Sequence, residues 1–233
     1  MDIVSFFKEY NIDLNERQIE QFNKYYEFLV SENQKYNLTA ITEYDDVLIK
    51  HFLDSVLPNK QFKDNTKILD VGAGAGFPSV PLAILRPDIQ FTLIDSVNKK
   101  VNFLIQLKTI LNLSNINPIH TRCEDFAKLN REKYDYVVAR AVAPMNVLCE
   151  YLIPFAKVNG QVFMYKGDNF ESEIKQCENV LKMFHVKHFD TLKYQIKYNN
   201  ETINRNIIIL NKLNVTNPKY PRGGNKPRLN PLT

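Results

Sequence analysis

The sequence predicts an α/β fold: a mostly parallel sheet of seven strands with helices on both faces, preceded by a helical extension. Three observations predict it. Short apolar runs alternate with helical patterns after residue 60, which is typical of parallel strands joined by crossover helices. The first apolar run leads into a turn that holds three of the seven glycines. The first 60 residues show helical periodicity alone.

Two helical patterns lie within the extension. Asp13 and Glu16 have the spacing of a capping box, in which two side chains satisfy the first amides of a helix. The helix behind them is predicted from apolar residues at helical intervals: Ile19, Phe22, Tyr26, Leu29 and Val30. A second apolar stripe, over 47–57, stops at Pro58 and predicts another helix.

The predicted strands follow the extension. They are 67–71, 91–95, 116–120, 134–139, 161–166, 184–192 and 205–210. Helices are predicted at 80–85, 101–111, 146–156 and 170–181, and residues 193–204 separate the last two strands as a terminal hairpin. The prediction therefore has three parts, a helical extension over 1–60, a core over 61–213 and a tail over 214–233.

Composition narrows the class of protein. The chain is 44% hydrophobic and 24% charged, as an ordinary globular protein is. No stretch approaches ~18 uninterrupted apolar residues, and the first residues lack the pattern of a signal peptide, so neither a membrane span nor export is expected. Three widely spaced cysteines predict neither a disulfide framework nor a metal site. We expect a cytoplasmic chain, and nothing indicates more than a monomer.

Positive charge is concentrated in the tail. The net charge is +4, and residues 214–233 hold four basic residues, no acid and four of the eleven prolines. Such a segment is predicted to stay mobile until it meets a negatively charged partner such as a nucleic acid. The candidates for phosphate contact are Lys99, Lys100, Lys166, Lys219, Arg222, Lys226 and Arg228.

The turn after the first strand predicts a nucleotide-like ligand, because α/β sheets bind such ligands at the carboxyl ends of their strands. The spacing is G-x-G-x-G at Gly72, Gly74 and Gly76. A dinucleotide fingerprint would place its third glycine where Phe77 stands. Asp70 precedes the loop and suits a cationic group, and Asp95 ends the second strand, where an acid can accept both hydroxyls of a ribose. A ribose with a cationic group and no phosphate indicates S-adenosylmethionine.

With these residues the sequence resembles the class I S-adenosylmethionine-dependent methyltransferases, and more narrowly the bacterial RsmG (GidB) family. The resemblance covers nearly the whole chain. Its most specific motifs are Asn37-Leu38-Thr39, Lys50-His51-Phe52-Leu53-Asp54-Ser55, residues 70–78, Leu93-Ile94-Asp95-Ser96, Arg140-Ala141 and Lys166-Gly167.

The resemblance implies a Rossmann-like methyltransferase fold and an enzyme that methylates N7 of one guanine in 16S ribosomal RNA. S-Adenosylmethionine would be the methyl donor, and the RNA or the small ribosomal subunit the partner. Positions that bind the donor in this family match Gly72, Phe77, Cys123, Glu124 and Arg140, and Asp95 falls at the superfamily's ribose position. Cys123 stands where similar sequences more usually have alanine or valine.

Guanine N7 already presents an in-plane lone pair, so its methylation needs alignment and electrostatics and no general base. We therefore assign no catalytic residue, with Arg140 as the candidate. Arg140 follows the strand 134–139, where it would hold the donor's carboxylate or guanine O6, or simply close the strand with a salt bridge. Glu124 would face the adenine or act only as an acid at a helix N-terminus. His51 and Asp54 are interpreted as ordering the junction between extension and core.

Other functions remain open at this stage. The same fold would serve a methyltransferase for a small molecule or a protein side chain. A non-catalytic ribosome-assembly factor would keep the pocket as a relic, which the intact glycines and acids argue against. A nicotinamide dehydrogenase is disfavoured by Phe77.

Overall fold

The strands of the computed structural model lie close to the predicted positions, and the structure describes residues 1–167, 170–186, 188–199 and 201–233. The described residues form a sheet of seven strands: β1 (Lys67–Val71), β2 (Gln90–Asp95), β3 (Ile116–His120), β4 (Tyr134–Arg140), β5 (Ala156–Lys166), β6 (Phe189–Tyr198) and β7 (Glu201–Asn211). Their order is β3-β2-β1-β4-β5-β7-β6. β7 runs antiparallel to β5 and β6, and the other pairs are parallel. The predicted fold class is confirmed.

The helices before the sheet are α1 (Ile3–Lys8), α2 (Glu16–Tyr36), α3 (Tyr44–Val47) and α4 (Asp54–Val56), with a π-helical stretch Leu48–Leu53 and a 3₁₀ turn Asn59–Gln61. The later helices are α5 (Ser79–Leu85), α6 (Asn98–Ile110), α7 (Cys123–Asn130), α8 (Met145–Leu152), α9 (Phe170–Gln176), α10 (Glu178–Met183) and α11 (Lys226–Leu229), and a 3₁₀ turn covers Ile153–Phe155.

The hydrophobic core has two parts because successive side chains of a strand point to opposite faces of a sheet. Ile68 of β1 and Val138 of β4 belong to one cluster, together with Phe22 of α2 and Leu104 of α6. Their neighbours in the strands pack on the opposite face against α8 and α10. The N-terminal helices therefore share the core of the sheet. The predicted division at residues 60 and 213 stays a prediction.

The start of α2 differs from the predicted capping box. Asn15 is the N-cap, its side chain accepts from the amide of Gln18, and the Gln18 side chain accepts from the amide of Asn15. The prediction of Asp13 and Glu16 was two residues early. Both pairs fit the polar pattern of a capping box, so this pattern alone does not distinguish them.

The last two strands also differ from their prediction. Phe184 and Val186 are buried beside the helices without forming a strand, and β6 begins at Phe189. Their alternating burial imitates the strand period. β6 and β7 continue through much of 193–204, as far as the pair Tyr198 and Glu201. β6 is an edge strand with exposed polar side chains, which a hydrophobic pattern does not reveal. Lys187, within the predicted strand, lies outside the described residues.

Candidate active site

The loop after β1 takes a conformation that requires glycine. Gly72, Gly74 and Gly76 have φ angles of 76°, 60° and 101°. A Cβ on Gly72 would lie 2.9 Å from a methyl of Val142, and one on Gly76 would lie 2.7 Å from the hydroxyl of Tyr25. Side chains at these two positions are excluded by space as well as by backbone conformation. The loop therefore leaves its backbone open to a ligand.

Tyr25 of α2 holds this loop from behind. Its hydroxyl donates to the carbonyl of Ala75 at 2.5 Å, and its ring stacks on Phe77 with centroids 5.4 Å apart. Tyr25 is fully buried. The helical extension is thus part of the structure that positions the glycine loop.

Asp70 lies beneath the loop as a buried acid. It is fully buried, and among the described residues neither of its carboxylate oxygens has a hydrogen-bond partner of good geometry. Burial raises the pKa of Asp70 to about 7, and only part of that rise is offset by the nearby Ser79 and Arg140. A carboxylate in this position is what a cationic ligand would stabilise.

Asp95 lies across the loop at the end of β2. One carboxylate oxygen accepts from the amide of Gly74 at 3.0 Å, and the other accepts from the amide of Val97 at 2.9 Å. These bonds orient the carboxylate, and its remaining lone pairs can accept ribose hydroxyls. The acid predicted for the ribose therefore faces the glycine loop.

A cavity of about 440 Å³ opens beside the loop, and we call it the glycine-loop cavity. Four of the predicted donor-binding residues line it: Gly72, Asp95, Cys123 and Glu124. Lys100 and Arg228, predicted to contact phosphate, also line it. Other residues of the wall were not predicted as site residues, among them Val142, Tyr151 and Asn225. Val142 follows Arg140-Ala141 and had a positional signal, whereas Tyr151 and Asn225 are distant in sequence and had none.

The first turn of α7 supplies Cys123 and Glu124. The thiol of Cys123 donates to the carbonyl of Tyr151 at 3.3 Å, and burial raises its pKa well above the usual value. Cys123 is therefore a neutral packing group, which agrees with a position that tolerates alanine or valine. A carboxylate oxygen of Glu124 accepts from the amide of Asn225 at 3.1 Å.

Arg140, at the end of β4, lies outside the lining of the glycine-loop cavity. It donates to Asp54 at 2.9 Å and to the carbonyl of Lys50 at 3.1 Å. Its guanidinium carbon lies 4.9 Å from the centre of the Phe77 ring. These contacts tie Arg140 to the helical extension.

His51 holds the other side of Arg140. Arg140 lies 3.1 Å from its Nδ1, and Thr39 Oγ1 lies 2.8 Å from its Nε2. Burial and the charge of Arg140 lower the pKa of His51 to about 3, so the ring is neutral near pH 7 and accepts at Nδ1. The same ring stacks on Phe77 with centroids 4.4 Å apart. His51 and Asp54 thus lie at the junction between extension and core.

A second cavity of about 440 Å³, the Arg140 cavity, lies beside the first, and Ala141 lines both. Lys166 lines it and forms a 2.6 Å ion pair with Glu173. Arg205 also lines it and binds the second oxygen of Asp54 at 3.0 Å. Hydrogen-bond donors and acceptors therefore surround a space next to the glycine-loop cavity.

The tail is packed against the core, so the prediction of a mobile tail was wrong. Arg222 binds Glu150, which is fully buried, at 2.7 Å. Tyr220 and Pro227 are buried as well. Long-range partners such as Glu150 cannot be recognised from the proline and glycine content of the tail. Lys226 is exposed, and Lys99 donates to the carbonyl of Tyr36 at 2.9 Å.

The described residues contain neither a membrane-spanning helix nor a metal-binding cluster. No helix among them is long and apolar enough to cross a membrane. No group of three or more histidine, cysteine or acidic side chains in this part of the chain is arranged to hold a metal ion.

Comparison with known proteins identifies relatives along the full chain. A family model described as rRNA small subunit methyltransferase G matches residues 18–205. Ribosomal RNA small subunit methyltransferase G of Streptococcus pneumoniae is 43% identical over 229 residues, 96% of this chain and 95% of that protein. The protein of the same name from Lactococcus lactis is 40% identical over 236 residues, 99% of this chain and 98% of that protein.

Solved structures support the fold alone. An S-adenosylmethionine-dependent O-methyltransferase from Thermotoga maritima superposes with a TM-score of 0.54 at 12% identity, covering 80% of this chain and 71% of that chain. Precorrin-6y C5,15-methyltransferase from Geobacter metallireducens gives 0.53 at 14% identity, covering 69% and 87%. The architecture is that of a Rossmann-like class I methyltransferase.

Proposed function

Because this chain belongs to the rRNA small subunit methyltransferase G (GidB) family, we propose that it methylates N7 of a specific guanine in 16S ribosomal RNA. S-Adenosylmethionine is its cofactor. The substrate is 16S RNA, alone or within the small ribosomal subunit.

The observation that carries this proposal is the pair of cavities that meet at Ala141. The glycine-loop cavity takes the donor, and the Arg140 cavity takes the base. A methyl group positioned at their boundary can reach an atom on either side, so alignment is built into the fold.

The glycine loop, the acid beneath it and the residues that line the cavity beside it fit S-adenosylmethionine part by part. Asp70 lies beneath the loop and outside the cavity lining, and among the described residues its carboxylate has no hydrogen bond of good geometry, so from there it would compensate the positive charge of the donor. Asp95 accepts the ribose hydroxyls, and Glu124 accepts from the adenine amino group. Gly72, Gly74 and Gly76 let the donor approach the backbone. Phe77 contributes from behind the loop, as the ring on which His51 and Arg140 rest.

The Arg140 cavity offers groups for one edge of guanine. On its major-groove edge guanine presents N7 and O6, both acceptors. Arg140 or Lys166 donates to O6, which leaves N7 free to face the donor. N7 carries no proton that must be removed, so a general base is unnecessary. Methylation makes the ring cationic, so a cation directly against N7 would be unfavourable. Arg140 lines this cavity and lies outside the lining of the glycine-loop cavity, so we assign it to O6 rather than to the donor's carboxylate.

A cell-based experiment tests the function. Small-subunit RNA from wild-type cells and from cells that lack the gene is reduced and cleaved at N7-methylguanine. We expect one cleavage signal to vanish with the gene and to return with the wild-type gene. It should not return with Gly72→Ala, which blocks the loop, but should return with Gly223→Ala, a glycine with no neighbour within 4 Å of an added Cβ. An unchanged cleavage pattern in the deleted cells would contradict the proposal.

A further inference from the structure

The C-terminal segment 220–229, which we call the strap, lies against the glycine-loop cavity. Asn225 and Arg228 line that cavity together with Glu124 and Val142. The sequence predicts that the basic residues of the strap contact RNA. In the structure the contacts of Arg222 and Arg228 indicate a different role for these two residues.

The strap is held by an ion pair with a buried partner. Glu150 of α8 is fully buried, and it accepts from the backbone amide of Arg222 at 2.8 Å and from its guanidinium at 2.9 Å and 2.7 Å. A buried carboxylate requires such compensation, because it has lost its hydration. The bonds to Arg222 are therefore the condition under which α8 can bury Glu150.

Further contacts hold the strap on both sides of this ion pair. Tyr220 is buried, and its ring packs on Phe184 with centroids 4.9 Å apart. Arg131 donates to the carbonyl of Tyr220 and to that of Thr216. These contacts fix the path of the chain as it approaches the cavity.

The strap then contacts two residues of the cavity wall. The amide of Asn225 donates to a carboxylate oxygen of Glu124 at 3.1 Å. Arg228 donates to the carbonyl of Val142 at 3.2 Å, and Val142 is the residue that an added Cβ on Gly72 would meet. A carboxylate can accept about four hydrogen bonds, so the bond from Asn225 orients Glu124 and leaves acceptor capacity for a ligand.

We propose that the strap is a wall of the methyl-donor site, with Arg222 as the positioning residue that holds Asn225 against Glu124 and Arg228 against Val142. The inference rests on the proposed use of the glycine-loop cavity by the donor. The strap contacts the side of the cavity formed by Glu124, so it acts on the adenosine end of the donor. If the strap is in place in only a fraction of the molecules, the apparent affinity for the donor falls in proportion to that fraction.

Titration calorimetry without RNA tests the strap. The ligands are S-adenosylmethionine, S-adenosylhomocysteine and 5′-methylthioadenosine, which share the adenosine group. We expect Arg222→Ala to raise all three dissociation constants by a similar factor, at least about fivefold, since at least one hydrogen bond to the wall is lost. Lys226→Ala removes the same charge from the same segment at an exposed side chain, and should leave the donor's dissociation constant within about twofold.

Turnover separates positioning from chemistry. With saturating donor, Arg222→Ala should keep the wild-type kcat while its KM for the donor rises.

If Arg222→Ala does not fold, Arg228→Ala replaces it, because that change leaves no buried carboxylate unpaired. The same rise in KM is expected. If a folded Arg222→Ala or Arg228→Ala variant binds the donor as tightly as Lys226→Ala does, the proposed role of the strap is wrong. If the wild type itself binds no donor, the proposed function fails instead.

Discussion

The guanidinium of Arg140, at the end of β4, donates to the carboxylate of Asp54 at 2.9 Å across 86 residues of sequence. Asp54 is buried, and its other oxygen binds Arg205 at 3.0 Å. His51 and the ring of Phe77 enclose the same guanidinium. The helical extension therefore sets the position of the arginine that lines the Arg140 cavity.

This relationship predicts different effects at the two residues. Arg140→Ala removes a donor to the base, so we expect kcat to fall about 100-fold. Asp54→Asn keeps the size of the side chain but weakens the bond that holds Arg140, and should lower kcat about tenfold with little change in donor affinity. Single-turnover methylation of RNA and donor titration measure both. Wild-type turnover in Arg140→Ala would remove Arg140 from the site.

Asp70 predicts a pH-dependent affinity for the donor. Its folded pKa of about 7 lies above the usual value of 3.8, so at pH 6 the carboxyl is mostly protonated and at pH 8 it is mostly ionised. A cationic donor prefers the ionised form, so affinity should rise about tenfold from pH 6 to pH 8. In Asp70→Asn the affinity should be lower and this rise absent. Because the variant shares any titration of the donor itself, equal pH profiles in the two proteins would refute the role of Asp70.

The same shift predicts the stability of the protein without donor. A folded pKa above the unfolded value stabilises the protein at pH below about 4, and this stabilisation is lost as pH rises through 7. The loss with rising pH should therefore be smaller in Asp70→Asn. Urea unfolding at pH 5 and pH 8 measures the difference between the two slopes.

The glycine loop predicts a graded series of alanine variants. Gly72→Ala combines a φ of 76° with a Cβ 2.9 Å from Val142, and should cost about 3 kcal/mol of unfolding free energy. Gly74→Ala has a similar φ but only a carbonyl at 3.9 Å, and should cost about 1 kcal/mol. Gly223→Ala is the control without strain. Chemical denaturation ranks the three, and equal losses at Gly72 and Gly74 would show that the contact with Val142 is unimportant.

The tail predicts unequal contributions to RNA binding. The charge of Arg222 is already compensated by Glu150, whereas Lys226 is exposed and available to a phosphate. Lys226→Ala should lower the salt slope of RNA affinity by about 0.7–0.9, and Arg222→Ala should change it far less. Affinity measured at several salt concentrations gives both slopes. The opposite ranking would restore Arg222 as a phosphate contact.

Local pattern determined most of the fold. Short apolar runs predicted β1 and β3 to the residue. A parallel strand that is covered on both faces of the sheet is buried over consecutive residues, as the four residues after Lys67 are in β1. The apolar pattern failed at Phe184 and Val186, which alternate in burial without pairing to a strand. The glycine loop and the two acids beside it could also be recognised from nearby sequence. The glycine loop and Asp70 are adjacent in sequence, and Asp95 ends the next strand.

The contacts that complete the site were decided by tertiary structure. Arg140, Arg222 and Glu124 are each held by a hydrogen-bond partner that lies between 72 and 101 residues away in sequence. A local pattern shows that a residue is charged and which element carries it, but a partner on another element is chosen only when the helices pack on the sheet. For that reason the sequence alone indicated a donor loop and a basic tail, and the packed structure placed Arg140 at the second cavity and the tail against the first.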